Sequence, residues 1–164
     1  MSDALTVATP TDTDIVLARE FDAPRGLVFG ALTRPELLTR WYGARGWNLT
    51  ECDVDLRVGG AWRFVSLGPD GARMAQSGVY REIEPPALLV YTEVFDDQSY
   101  AGESLITHEL VERAGGRTTL TSTLRYASQQ ARDTVLRYPM RRGVGESYDR
   151  LSEVLTTEKN GSAP

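Results

Sequence analysis

Along most of this chain apolar and polar residues alternate with a period of two; only near its two ends does the period lengthen to that of a helix. Ile15 to Phe21 reads as a first strand. The rhythm then changes in FDAPRGLVFGALTRPELLTRWYG, residues 21–43. Leu27, Val28, Ala31 and Leu32 recur at helical spacing, with Pro24 in the first turn and Asp22 as the expected N-cap. Pro35 pushes Arg34 out of the helical region, so one helix stops and a second starts. Leu37, Leu38 and Trp41 form the apolar face of that second helix, and Gly43 ends it.

Strands follow. In residues 48–58, Cys52, Val54, Leu56 and Val58 alternate with Asp53, Asp55 and Arg57, which predicts a half-buried strand. Gly59-Gly60 turns the chain into Ala61–Leu67, with Trp62, Phe64 and Ser66 on one side. Gly68 to Gly71 (GPDG) is a turn signal. Met74–Ile83, Leu88–Phe95, Glu103–Glu112 and Thr118–Tyr126 are further strands, separated by Pro85-Pro86, a loop at 96–102 and the turn Ala114-Gly115-Gly116. Ser128 caps a short helix through Leu136. A longer helix is predicted from Pro139 to Thr157, its stripe formed by Met140, Val144, Ser147, Tyr148, Leu151, Val154 and Leu155.

The sum is an α+β domain over residues 14–157: a curved antiparallel sheet of about seven strands around a long C-terminal helix, with two short helices after the first strand. Residues 1–13 read as a flexible arm and 158–164 as a flexible tail. A sheet that grips one helix tends to leave a space between them, and such spaces hold apolar ligands.

Composition narrows the function classes. The 164 residues carry 18 Lys and Arg against 23 Asp and Glu, a net charge of −5, so no basic footprint for nucleic acid exists. No apolar run approaches the ~20 residues of a membrane span. The start of the chain lacks the basic and apolar regions of a signal peptide. One cysteine, Cys52, precludes an internal disulfide and fits a reducing cytoplasm. One His and one Cys among scattered carboxylates give no metal-ligand spacing, and Gly59-Gly60 is no nucleotide fingerprint. No cofactor is implied.

The element order resembles the helix-grip fold of the Bet v 1/START-like (SRPBCC) superfamily. Within it, the chain is similar to the bacterial family related to the C-terminal domain of the Hsp90 ATPase activator. The resemblance spans roughly residues 14–157. It rests on the 21–43 segment, VGGAWRF (58–64) with GPDG (68–71), GVYREIEPPALLVYTE (78–93) and ARDTVLRYPMRRGVGESYDRLSEVL (131–155). The superfamily includes ligand carriers, lipid-transfer domains, polyketide cyclases and co-chaperones, so the resemblance implies a fold before a function. Tyr138-Pro139 departs from the small residue expected ahead of the helix methionine.

Candidate chemistry centres on the sole histidine, His108, in inward phase with Ile106 and Leu110. A turn centred near Gly115 sets it opposite Ser122, and a loop centred near Ser99–Tyr100 sets it opposite Tyr91. Tyr91, His108 and Ser122 then form a polar row, with Glu93 diagonal to it. A one-residue slip would break the row. Such a row is either an acid/base centre or a core histidine with its hydrogen-bond partners. Trp62, Phe64, Tyr80, Tyr91, Phe95 and Tyr148 border the expected cavity, with Met140 and Val144 on the helix above. Trp41 and Tyr42 are expected near its mouth.

The leading expectation is a binding protein for a small hydrophobic or aromatic molecule, without catalysis. The alternatives are a cyclase, dehydratase or hydrolase using His108 with Tyr91 or Glu93, and a co-chaperone-like interaction module. Oligomeric state and protein partner stay open, a homodimer being the commonest assembly of soluble chains.

Overall fold

The computed structural model describes residues 4–161. Its elements are β1 (Thr6–Ala8), β2 (Asp14–Phe21), α1 (Arg25–Thr33), α2 (Pro35–Trp41), β3 (Asn48–Val54), β4 (Ala61–Leu67), β5 (Arg73–Glu84), β6 (Leu88–Phe95), β7 (Ser104–Arg113), β8 (Arg117–Arg125), α3 (Gln129–Leu136) and α4 (Met140–Gly161). The eight strands form one antiparallel sheet in the order β1-β2-β8-β7-β6-β5-β4-β3. From β3 to β8 each strand pairs with the next in sequence, so each register is set by the connection between them. This is the helix-grip architecture, with α4 as the long helix.

The two short helices are held by local chemistry. Pro24, not Asp22, sits at the N-cap, in extended conformation, so α1 begins two residues later than a cap at Asp22 would set it. Asp22 instead lies 3.4 Å from Lys159 at the end of α4. Arg34, forced out of the helical region by Pro35, separates α1 from α2. The Trp41 indole N–H donates to the Ala31 carbonyl at 2.9 Å, fixing the angle between the helices. After Tyr42 the chain turns through Gly43 at φ +108°, where a side chain would be strained.

α4 lies against both helices and fastens the segment that follows them. Ser147 Oγ accepts from the Gly43 N–H at 3.0 Å, and the Arg150 guanidinium donates to the Gly43 and Trp47 carbonyls at 2.9 Å each. Below α4, Phe21 and Tyr148 meet edge to face at 5.6 Å, and Leu151, Val154 and Leu155 join Leu89, Leu110 and Leu120 of the sheet in one core. Ser128 caps α3 by accepting from the Ala131 N–H at 3.0 Å.

Three expectations change. The arm expected to be flexible contains β1, which pairs with the outer edge of β2 (Val7 opposite Leu17) and raises the strand count to eight. Pairing satisfies backbone groups that the β2 edge would otherwise expose. The strand expected to reach Val58 ends at Val54. A register shift between Leu49 and Glu51 re-phases it, so Leu49, Cys52 and Val54 face inward. Beyond it the backbone folds on itself (Gly60 N–H to the Arg57 carbonyl), and Leu56 and Val58 are exposed, Val58 by 66%. Finally, α4 runs to Gly161, into the segment expected to be a tail.

Candidate functional site

The inner face of the sheet is polar at its centre. On β7, His108 stands opposite Ser122 of β8, and His108 Nδ1 lies 2.7 Å from Ser122 Oγ. The turn centred on Gly115 places this pair as the sequence predicts. On the other side the β6–β7 register sets His108 opposite Leu89, and Tyr91 opposite Ile106, two residues from the expected pairing. An even shift keeps each side chain on its face. Tyr91 therefore still reaches His108, with its hydroxyl 2.9 Å from Nε2. Tyr148 of α4 closes the row from above, its hydroxyl 3.5 Å from Ser122 Oγ.

Both ring nitrogens of His108 thus meet hydroxyls, and the ring is 7% exposed. Burial disfavours its cation and lowers its pKa to about 4. The imidazole is neutral at physiological pH, donating through one nitrogen and accepting through the other. Burial also drives the Tyr91 and Tyr148 hydroxyls above their ordinary range.

Glu93 does not join that row. It stands opposite Ser104, between Tyr91 and Phe95 on the inner face of β6. Its Oε2 accepts from Gln76 Nε2 of β5 at 3.2 Å, and the same nitrogen donates to the Tyr42 hydroxyl. Desolvation raises the Glu93 carboxyl to about 7, and the Gln76 hydrogen bond only partly offsets this. Gln76 escaped the sequence reading because β5 has mixed phase. Its place in step with Gly78 and Tyr80 was the signal available.

Of the aromatic residues named from sequence, Tyr42, Phe64, Trp62, Tyr91 and Tyr80 form a continuous arc. Ring centroids lie 5.0 Å apart for Tyr42 and Phe64, 4.9 Å for Phe64 and Trp62, 5.2 Å for Trp62 and Tyr91, and 6.1 Å for Tyr91 and Tyr80. Trp41 is inside this arc rather than at a mouth, 3% exposed and 5.6 Å from the Tyr42 ring. The Trp62 indole donates to the Thr92 carbonyl at 3.1 Å. A second cluster, with Tyr100 and Tyr126 5.1 Å apart and Phe95 beside Tyr100, fills the other end. Tyr42, Tyr91, Phe95, Met140 and Val144 are only partly buried, although they pack against the two clusters.

The space expected between sheet and helix is therefore partly taken up by its own lining. Two clefts, of about 440 and 550 Å³, open elsewhere; neither is lined by a residue of α4. Among the described residues no group of His, Cys, Asp and Glu could hold a metal ion. Cys52 is half-buried on β3, and burial pushes its thiol up to about 11, which suits a packing role. No helix among the described residues is long and apolar enough to cross a membrane.

A curved antiparallel sheet closed by one long helix, with a polar centre inside an aromatic lining, defines a domain of the ligand-binding START-like type. The family model for Activator of Hsp90 ATPase homolog 1-like protein matches residues 22–156, and the chain belongs to that family. A crystal structure from Rhodobacter sphaeroides is similar over 94% of this chain and 99% of its own, at 34% identity and a TM-score of 0.88. One from Nitrosomonas europaea covers 93% and 99%, at 27% identity and 0.82. The AHSA1 protein of Silicibacter pomeroyi covers 88% and 99%, at 25% identity and 0.73. No curated protein matches the chain.

Proposed function

We propose that this protein binds a small, largely apolar or aromatic molecule between the sheet and the first turns of α4. The observation that carries the reading is the partial burial of the residues expected to line this space. Tyr42, Tyr91, Phe95, Met140 and Val144 pack against the core clusters yet keep accessible surface, side by side with the hydroxyls and carboxyl at the centre of the sheet. Apolar walls with a few convergent polar groups are what a small-molecule site needs. In the first turns of α4, Gly143 and Gly145 have no side chain, and an added Cβ would meet no atom within 4 Å.

Binding is favoured over acid–base use of His108 by that residue's own hydrogen bonds. Both nitrogens are engaged by hydroxyls of the fold, and a neutral ring with a pKa near 4 accepts protons poorly at neutral pH. A thermal-shift screen of apolar aromatic metabolites tests the reading. A compound at 100 times its Kd stabilises by about 2.7 kcal/mol. A panel that leaves the melting temperature unmoved at millimolar concentration overturns it.

A further inference from the structure

Glu93 and Gln76 pose a problem that the chain itself does not solve. Glu93 points into the aromatic interior, and among the described residues no cation pairs with it. A carboxylate held off from water in such a place normally has a counter-charge or loses its own. Gln76 is 2% exposed; its Nε2 makes two hydrogen bonds, but its Oε1 is buried with no partner. With Glu93 ionised, turning the amide over would set its oxygen against the carboxylate, so the ionised form favours Nε2 toward Glu93. Among the described residues, Gln76 Oε1 is thus a buried acceptor with no donor beside it, next to a carboxyl that no cation pairs. Buried acceptors in native proteins are ordinarily matched.

The surroundings favour one kind of match. Tyr42, Phe64, Trp62 and Tyr91 run as an unbroken series of rings beside Gln76 and Glu93. The faces of aromatic rings attract cations, most strongly where water is excluded. A ligand carboxylate would be repelled by Glu93, and a purely apolar ligand would leave Gln76 Oε1 unmatched and the Glu93 charge unpaired. A ligand ammonium or amidinium would supply the missing charge, the missing donors and a partner for the rings.

We infer that the molecule bound here carries a protonated amine or a comparable N–H cation, held by Glu93 and Gln76 within the arc Tyr42–Phe64–Trp62–Tyr91. This rests on the binding reading above and specifies its ligand class. The test uses three probes of matched size on the full chain at pH 7.5: phenethylamine, 2-phenylethanol and phenylacetate. Each is titrated while amide resonances are followed by NMR. The amine is expected to bind at least tenfold more tightly than phenylacetate, with the largest shifts around Tyr42, Gln76 and Tyr91. Glu93→Gln keeps the shape and removes the charge, and its spectrum reports directly that it is folded. It is expected to weaken phenethylamine at least tenfold and 2-phenylethanol by less than threefold. Phenylacetate binding as tightly as the amine, or phenethylamine insensitive to Glu93→Gln, overturns the charge inference and leaves the binding reading standing. Three probes that all leave this region unperturbed at millimolar concentration overturn both.

Discussion

Gly78 and Trp62 show how a single position shapes the interior. The Trp62 indole crosses Gly78 to reach the Thr92 carbonyl, and a Cβ at residue 78 would sit 1.7 Å from that oxygen and 2.6 Å from Nε1. Gly78→Ala is therefore expected to cost about 3 kcal/mol, as overpacking a rigid site does. Urea unfolding measures it, and an unchanged midpoint would mean that the indole can move aside. Glu93 and His108 work against each other in pH. An ordinary glutamate ionises near 4.5 but Glu93 in the fold near 7, so the folded state holds the extra proton between those values. Its contribution is fully present below pH 4.5 and is lost as pH rises to 7. His108 falls from an ordinary 6.5 to about 4, so its contribution is present above pH 6.5 and lost as pH falls to 4. Glu93→Gln should stabilise by about 2 kcal/mol above pH 7 and change little below pH 4.5. Parallel stability–pH curves for the variant and the parent would contradict that assignment.

At the scale of elements, α4 does two jobs with neighbouring positions along one side. Tyr148, Leu151, Val154 and Leu155 enter the core, while Ser147 and Arg150 secure the backbone between α2 and β3. Arg150 replaces backbone partners that residues 43–47 do not find among themselves. In Arg150→Ala, hydrogen exchange of this segment should speed up at least tenfold while the central strands keep their protection. A uniform loss of protection would instead make Arg150 a determinant of global stability. The strands show which local signals carry far. The β7–β8 turn is short and centred by Gly115-Gly116, so the pairing of His108 with Ser122 could be read from sequence. The β6–β7 connection is longer, and its register came out two residues away. The reach of the Tyr91 side chain restored the contact.

For the molecule as a whole, the proposed binding region lies under the first turns of α4. Val144 packs against both core clusters and stays partly exposed. Val144→Trp should fill the proposed site, preserve the melting temperature to within a few degrees, and abolish the thermal shift of any compound that stabilises the parent. A variant that still responds to such a compound would place the ligand elsewhere. The sequence by itself determined the order of elements, the two proline-separated helices, the inward phase of Trp62, Phe64, Tyr91 and His108, and the stripe of α4. Each depends on periodicity or turn chemistry within a few residues. Only the tertiary structure decided that β1 adds an edge strand, that shifts in β3 and β5 re-phase their side chains, and that Tyr42, Gln76 and Glu93 meet. Those three residues lie on separate elements, and no local pattern records the bulges and loop geometry that set their positions. The charge balance of the interior, in which no cation among the described residues pairs with Glu93, follows from that meeting and not from any motif.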